Sequence, residues 1–320
     1  MSFKSAIKQN VGENCYSIAR SIYRAVRSVC LRIVGLAPRR SDRKTVLKHC
    51  NEDLLLLHKD SNDEAPVIAD GDYEPTIMTL LAGIVNPNDC VLDIGANCGL
   101  HTVTLSRLCG PHGRVHAFEP VDYNVRKLHT NLFINGCRNT LIHNFALGAT
   151  DCWMDFHQIK ESDIYKGNSS LVENEKLSDE LSHKFDVVKM RVRALDSVVD
   201  ELQIDDITLI KMDVEGFEFQ VLQGALKTLE RFRPAIILEY HSNRLQHLNL
   251  SNRDFEQLLG DMYYAYEICV ATTFDRYPSL EPFHFDRDVP FGNLVLIPKC
   301  RPEAFVDKAS RKSELIPQGY

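Results

Sequence analysis

The chain has 320 residues, of which 44% are hydrophobic and 25% are charged, and this composition is ordinary for a soluble globular protein. Its formal net charge of -7 argues against nucleic acid as the main partner. The charge is uneven, because residues 1–48 contain 11 lysines and arginines but only 2 acids. A basic segment therefore precedes an acidic body, which suggests that the segment meets an anionic surface.

The cysteines and the apolar runs predict a cytoplasmic location. The ten cysteines contain no Cys-x-x-Cys pair, and this usage is typical of free thiols in a reducing compartment. No apolar run approaches the length needed to span a bilayer. The N-terminus lacks the uninterrupted apolar core of a secretory signal.

The N-terminal region predicts helices. In residues 15–36, apolar side chains recur every three or four positions and arginines lie on the other side. This pattern suits peripheral binding to an anionic membrane, or packing of the helix on its own domain. Residues 43–59 predict a second short helix. We therefore expect a basic helical extension over residues 1–60, a catalytic domain over 61–300 and a charged tail over 301–320.

One stretch, residues 90–102, organises the rest of the chain. A short apolar run gives way to Gly95 and Gly99, after which apolar residues return at helical spacing. The next strand ends on Glu119, so the layout is that of a nucleotide-type ligand site at the carboxyl end of a parallel sheet. An acid there can accept two hydrogen bonds from a ribose diol. The pattern Gly95-x-Asn97-x-Gly99 lacks the third glycine of a dinucleotide fingerprint and a basic phosphate-binding residue, so S-adenosylmethionine fits better than NAD.

The remaining pattern alternates strands and helices and predicts an α/β fold with a mostly parallel sheet. Further strands are predicted at 140–148, 207–213, 234–241, 263–270 and 293–298, and helices at 76–85, 122–133 and 217–232. Residues 151–193 interrupt the alternation with two strand-like runs around a polar insert, which could lie over a site. Five aromatic residues in 273–291 could stack on sugar rings or pack a loop.

Several motifs together resemble the FkbM-type methyltransferases over roughly residues 70–245. They are Tyr73-Glu-Pro75, Leu92-Asp-Ile-Gly-Ala-Asn-Cys-Gly-Leu-His-Thr102, Gly113-Arg-Val-His-Ala-Phe-Glu-Pro120, Asn144-Phe-Ala-Leu-Gly148, Ala194-Leu-Asp-Ser197, Leu209-Ile-Lys-Met-Asp-Val-Glu-Gly216 and Leu238-Glu-Tyr-His241. The resemblance implies the class I methyltransferase fold, a doubly wound, Rossmann-like, seven-stranded and mostly parallel sheet with helices on both faces and an antiparallel last strand. It implies S-adenosyl-L-methionine as donor and a hydroxyl acceptor on a sugar, glycan, glycolipid or natural product.

The same resemblance implies roles for individual positions. Lining the methionine end of the donor would be Asp93, Gly95, Asn97, Gly99 and Thr102. Glu119 would hold the ribose, Asn144 and Ala146 would lie near the adenine, and Glu74 of the first motif joins the cofactor-binding residues.

Acids at two other strand ends are the catalytic candidates. Asp213 and Glu239 should end neighbouring strands, and His241 shares a strand face with Glu239. Asp213 or His241 could be the general base for the acceptor hydroxyl, or Asp213 and Glu239 could hold a divalent cation such as Mg²⁺. Alternatively, Asp213 and Glu215 could cap the helix that follows. Lys211 is interpreted as a structural residue that neutralises an acid.

Three functions compete on these observations. The favoured one is an S-adenosylmethionine-dependent O-methyltransferase. A nicotinamide-dependent dehydrogenase would need the missing glycine. A non-catalytic, membrane-associated module with the same fold would not need the intact glycine loop or Glu119.

Overall fold

A computed structural model describes residues 45–50, 53–58, 64, 67–68, 73–159, 185–240, 245, 250–269, 278–285, 292–302 and 305. The predicted helix at 15–36, the candidate base His241 and most of the 301–320 tail lie outside these ranges, so what was predicted for them stays a prediction. Within the described ranges, no helix has both the length and the apolar character needed to cross a membrane.

Strands and helices alternate through the described residues. The strands are β1 (Thr45–Cys50), β2 (Asp53–His58), β3 (Cys90–Ile94), β4 (Arg114–Phe118), β5 (Thr140–His143), β6 (Ala146–Leu147), β7 (Cys152–Ile159), β8 (Phe185–Arg193), β9 (Leu209–Met212), β10 (Ala235–Tyr240), β11 (Tyr263–Cys269), β12 (Ser279–Pro282) and β13 (Gly292–Pro298). The helices with fully described bounds are α1 (Pro75–Ile84), α2 (Leu100–Cys109), α3 (Asp122–Asn135), α4 (Leu195–Leu202), α5 (Glu218–Gln223), α6 (Leu226–Phe232) and α7 (Asn252–Leu259).

The main sheet confirms the predicted doubly wound α/β class. Its order is β12-β11-β13-β10-β9-β3-β4-β5, with β5, β4, β3, β9 and β10 parallel and β13 antiparallel to β10. The described part of this sheet has eight strands where seven were expected, because β12 extends it beside β11. The chain leaves β3 towards β4 on one side and returns at β9 on the other, which opens a crevice at the carboxyl ends of these strands.

Side chains alternate between the two faces of the sheet. One face carries Leu92, Ile94, Ile210 and Met212 into a core shared with α4, α5, α6 and α7. The other carries Val91, Leu209 and Ile237 against α1 and α2. Asp93 and Lys211 follow the second alternation and are register partners on β3 and β9. Both are buried, so the charged groups of the crevice belong to the α1–α2 side.

Residues 43–59 were predicted to form a helix, and this was wrong for the part that the structure describes. β1 and β2 form an antiparallel hairpin in which Cys50 pairs with Asp53. Within the leucine run, Leu55 and Leu57 are buried in a cluster with residues of α2 and α3. A short apolar run fits a buried strand as well as a buried helix, so long-range packing decides between them.

The structure refines the sequence prediction in two further segments. The strand-like runs of 151–193 are confirmed as the hairpin β7–β8, which forms a three-stranded sheet with β6. The single helix expected over 217–232 is instead α5 and α6, separated at Gly224. A Cβ on Gly224 would lie 2.0 Å from the carbonyl oxygen of Gly148, so the chain bends where two backbones touch.

Candidate active site

The glycine loop between β3 and α2 is shaped by contacts within the chain. Gly95 has φ +81°, and a Cβ there would lie 1.8 Å from the backbone oxygen of Asp213. Gly99 has φ +92°, and its Cβ would lie 2.6 Å from Cδ1 of Leu128 in α3. The positive φ disfavours a side chain at both positions, and at Gly95 the backbone at the end of β9 also leaves no room for one.

Glu119 joins the end of β4 to this loop. Its Oε2 accepts a hydrogen bond of 2.8 Å from the amide of Asn97, a residue held at φ 48°. Its Oε1 accepts bonds from the amide of Val121 at 3.0 Å and from Nδ2 of Asn124 at 3.2 Å. Each carboxylate oxygen can accept about two hydrogen bonds, so Oε2 keeps a free acceptor position.

The environment of Glu119 sets its charge. Only 4% of the residue is exposed. Burial raises the pKa of the Glu119 carboxyl to about 7, the bonds from Val121, Asn124 and Asn97 oppose this rise, and the charge of Asp93 adds to it. The group therefore changes charge near neutral pH.

Asp93 presents a second buried acceptor. Its Oδ2 accepts a 2.6 Å bond from the hydroxyl of Thr102 in the first turn of α2. Its Oδ1 is buried and has no hydrogen-bond partner among the described residues. A buried carboxylate oxygen without a partner is costly, so this atom marks a position suited to a hydrogen-bond donor.

Lys211 supplies the positive charge of the crevice. Its Nζ lies 3.2 Å from Oδ2 of Asp213. Burial alone would lower the pKa of Lys211, but the carboxylates of Asp213, Asp93 and Glu74 outweigh it and raise that pKa. The ammonium therefore stays charged, which confirms that Lys211 neutralises an acid.

Glu74, at the start of α1, also interacts with the Lys211 ammonium through its charge. It occupies the N-cap position with φ 39°, a left-handed conformation that is strained for a glutamate before a proline. Its Oε2 lies 3.1 Å from Nε2 of His101, whose ring centroid is 5.1 Å from that of Tyr73. Burial raises the pKa of Glu74, but the contact with His101 and the charge of Lys211 lower it on balance. His101 was missed as a site residue, and its only sequence signal is its place after the glycine loop.

The two residues expected near the adenine lie in different surroundings. The Nδ2 of Asn144 donates to the carbonyl oxygens of Glu119 at 3.3 Å and of Pro120 at 3.4 Å, so this side chain lies beside the candidate ribose site. Ala146 is instead buried in an apolar cluster with residues that include Val121 and Phe217. The structure thus brings Asn144 to the site and uses the Ala146 side chain for packing.

Asp213 and Glu239 come together as predicted at two strand ends. Leu238 of β10 pairs with Met212 of β9, so Glu239 and Asp213 are the next residues on these parallel strands. Glu239 also pairs with Asn293 of β13. The two carboxylates therefore belong to the same edge of the sheet.

The turn after Asp213 is held by a residue that the sequence did not single out. Oε1 of Glu218 accepts the amides of Val214 at 3.1 Å and of Gly216 at 3.2 Å. Burial raises the pKa of Glu218 to about 7, although these amides oppose the rise. Capping of the following helix by Asp213 and Glu215 stays a prediction, whereas the two turn amides are accepted by Glu218, the first residue of α5.

A metal ion at Asp213 and Glu239 would lie close to an existing positive charge. Oδ2 of Asp213 already contacts the ammonium of Lys211. Over the ranges that the structure covers, no three His, Cys, Asp or Glu side chains form a group that could hold a metal ion.

The aromatic residues of 273–291 pack the chain where they are described. Phe283 and Phe285 are buried, and their rings contact those of Tyr240 and, for Phe285, Phe255. Of the two roles left open, these two residues take the packing role. The other three, Phe274, Tyr277 and Phe291, lie outside the described residues.

Comparison with known protein families identifies the family to which the chain belongs. Residues 93–266, more than half of the chain, match the methyltransferase FkbM domain. The chain belongs to the FkbM methyltransferase family. The matched range contains Asp93, the glycine loop, Glu119, Asp213 and Glu239, and begins after Glu74.

Relatives of this FkbM methyltransferase share only parts of their length with it. The AMB antimetabolite synthetase AmbE of Pseudomonas aeruginosa is 31% identical over 51% of this chain and 9% of its own length. Methyltransferase 1 of Beauveria bassiana is 25% identical over 43% of this chain and 59% of its own length. The crystal structure of methyltransferase FkbM from Methylobacillus flagellatus is 20% identical, with a TM-score of 0.39, over 66% of this chain and 43% of that one.

The contact between Gly95 and Asp213 predicts an unequal pair of glycine substitutions. Gly136 also has a positive φ, +71°, but nothing lies within 4 Å of a Cβ there. Gly136→Ala should cost about 1 kcal/mol through backbone strain, whereas Gly95→Ala should cost a further ~1–3 kcal/mol because the Asp213 carbonyl must move. Denaturant unfolding of both variants measures the difference. Equal losses would mean that the loop does not pack on Asp213.

Proposed function

We propose that this FkbM methyltransferase is an S-adenosylmethionine-dependent O-methyltransferase whose acceptor is a hydroxyl of a sugar, glycan or small natural product. The observation that carries the proposal is the buried carboxylate of Glu119, which binds the Asn97 amide of the glycine loop and keeps a free acceptor position. Family membership supports methyl transfer. The name of the P. aeruginosa relative, an antimetabolite synthetase, is compatible with a small-molecule acceptor.

The crevice suits the polar groups of this donor. S-Adenosylmethionine carries a ribose diol, an ammonium group, a carboxylate and a sulfonium, and it has no phosphate. The free position on Oε2 of Glu119 suits a ribose hydroxyl, and the unpartnered Oδ1 of Asp93 suits an ammonium N–H. Glu74 and Asn144 complete the set of residues that would hold the donor. When bound, the donor supplies a methyl group on a positively charged sulfur.

The charge of the site favours a cationic ligand. Three carboxylates, those of Asp213, Asp93 and Glu74, act on the single ammonium of Lys211. Their excess negative charge lies in a buried part of the crevice, where electrostatic interactions are stronger than in water. The donor's ammonium and sulfonium fit that excess.

Asp213 is the residue that we assign to orient the acceptor. The nearby ammonium of Lys211 stabilises its ionised form, so it can accept a hydrogen bond from a hydroxyl and fix the direction of the oxygen lone pair. Proton removal by Asp213 itself is one route for the hydroxyl proton, and Glu239 and His241 are the alternative acceptors. Water exclusion by the buried walls strengthens each of these contacts.

The first test separates this donor from the alternative functions. Titration calorimetry with S-adenosylhomocysteine should release or absorb heat, while NAD should give none. Glu119→Ala should weaken S-adenosylhomocysteine binding by about 10–100-fold, because a hydrogen bond to a charged group is lost. The control is Glu230→Ala, at an exposed acid of α6.

Binding alone does not establish transfer, so a screen of hydroxylated sugars, glycans and metabolites with S-adenosylmethionine, read by mass, completes this test. A gain of one methyl group on oxygen supports the proposal. Heat with NAD only would favour a dehydrogenase, and heat with neither ligand would favour a non-catalytic module.

The second test addresses the acceptor chemistry. Asp213→Asn should lower kcat by about 10²-fold if this carboxylate orients or deprotonates the hydroxyl. Activity of the unaltered chain should persist after chelation, because Lys211 already supplies a positive charge beside Asp213. Asp261→Asn, at an exposed acid, is the control. Activity that disappears on chelation and returns with Mg²⁺ would establish the metal alternative instead.

The third test uses the titration of Glu119. Its pKa of about 7 means that the carboxyl is mostly protonated at pH 6 and mostly ionised at pH 8. Since the ionised form accepts the ribose bonds, affinity for S-adenosylhomocysteine should rise by about tenfold over this window. Glu119→Gln should bind weakly and lose most of the dependence. A flat profile for the unaltered chain would contradict the assignment of Glu119 to the ribose.

A further inference from the structure

A buried amide connects the N-terminal hairpin with the glycine loop. The Oδ1 of Asn131, in α3, accepts a 2.6 Å hydrogen bond from the amide of Leu56 in β2. Its Nδ2 donates a 2.7 Å bond to the carbonyl oxygen of Cys98. Asn131 is fully buried, with 0% of its surface exposed. One side chain therefore bridges two segments that lie 42 residues apart in sequence, from 56 to 98.

The bridge acts on the part of the loop that matters for the site. Cys98 lies between Asn97, whose amide binds Glu119, and Gly99, the N-cap residue of α2. Glu119 thus holds the loop through the Asn97 amide, and Asn131 holds it through the Cys98 carbonyl. Loss of the Asn131 amide would remove one hydrogen bond from the Cys98 carbonyl and one from the Leu56 amide, which favours movement of the loop.

Other contacts attach the same N-terminal segment to the helices around the loop. A buried ion pair joins Glu64 to Lys127 of α3, and a second pair joins the buried Asp53 to the exposed Arg107 of α2. The apolar part of the contact is formed by Leu55, Leu57 and Val67 with Ala96, Cys98, Leu100 and Val103. The described residues Asp53–His58, Glu64 and Val67 therefore lie against the loop and the helices beside it, with polar and apolar contacts.

We propose that Asn131 is a positioning residue for donor binding, and that β2 supports the donor site although none of its residues needs to touch the donor. This inference rests on the proposed S-adenosylmethionine site. The hairpin fixes Asn131, Asn131 fixes the Cys98 carbonyl, and the loop then presents the Asn97 amide to Glu119. Since coupling of this kind is reciprocal, a ligand in the donor site stabilises the hairpin.

A substitution at Asn131 tests the positioning role. Asn131→Leu keeps the approximate volume and removes both hydrogen bonds. It should raise KM for S-adenosylmethionine and Kd for S-adenosylhomocysteine by tenfold or more, while kcat and KM for the acceptor change by less than about threefold. The matched control is Asp196→Ala, which removes a different polar bridge, from α4 to the amide and hydroxyl of Thr228. It should lower stability but leave Kd for S-adenosylhomocysteine unchanged.

The outcomes separate this inference from the proposed function. No binding of S-adenosylhomocysteine by the unaltered chain would overturn the proposed function. Binding by the unaltered chain with the same Kd in Asn131→Leu would overturn the positioning role alone. A lower kcat with unchanged KM and Kd, as expected for Asp196→Ala, would assign Asn131 to stability only.

A second measurement needs no variant, in case Asn131→Leu fails to fold. Amide hydrogen exchange of the unaltered chain is compared with and without saturating S-adenosylhomocysteine. The Leu56 amide should exchange at least about fivefold more slowly with the ligand, because the ligand, the loop and the hairpin are coupled. The Thr228 amide is the internal control and should not change beyond the general stabilisation. Identical changes at the two amides would overturn the inference.

Discussion

The hydrogen bond from the Asn97 amide to the Glu119 carboxylate is the contact on which the candidate site depends. It joins the carboxyl ends of β3 and β4 and stabilises a left-handed residue in the loop. It also compensates part of the cost of burying a carboxylate. The contact of Gly95 with the backbone of Asp213 adds the end of β9. Three strand ends are therefore held as one unit, which fixes the acids relative to one another before any ligand binds.

Charge is distributed over this unit in a way that favours methyl-donor chemistry. Several carboxylates act on the ammonium of Lys211. Glu119 instead accepts hydrogen bonds from backbone amides. The site thus offers one acceptor for a sugar diol and a separate negative region for a cation. These two functions are combined in one sulfonium nucleoside, and the same edge of the sheet places Asp213 and Glu239 where an acceptor could approach.

Local sequence was sufficient to locate residues that lie near a strand end or in a turn. Asp93, Glu119 and Asp213 end strands that short apolar runs define, and chain order alone brings such ends together in a parallel sheet. The glycines were found for the same reason, but the contact that excludes a side chain at Gly95 could not be, since it comes from Asp213, over a hundred residues later.

What local sequence could not supply depends on distant contacts. Asn131 binds an amide 75 residues away, and in sequence it is an ordinary polar residue on a helix. The leucine run of the hairpin fits two kinds of secondary structure equally well, and only burial against α2 and α3 selects the strand. Glu218 carries no signal of its task, because the turn whose amides it accepts precedes its own helix.

A crystal structure of the full chain with bound S-adenosylhomocysteine would examine the donor site most directly. We expect a ribose hydroxyl within hydrogen-bond distance of Oε2 of Glu119, with the ligand's ammonium on Oδ1 of Asp93 and the Asn97–Glu119 bond retained. A ligand whose ribose lies away from Glu119, or a loop in which Asn97 has released that carboxylate, would contradict it.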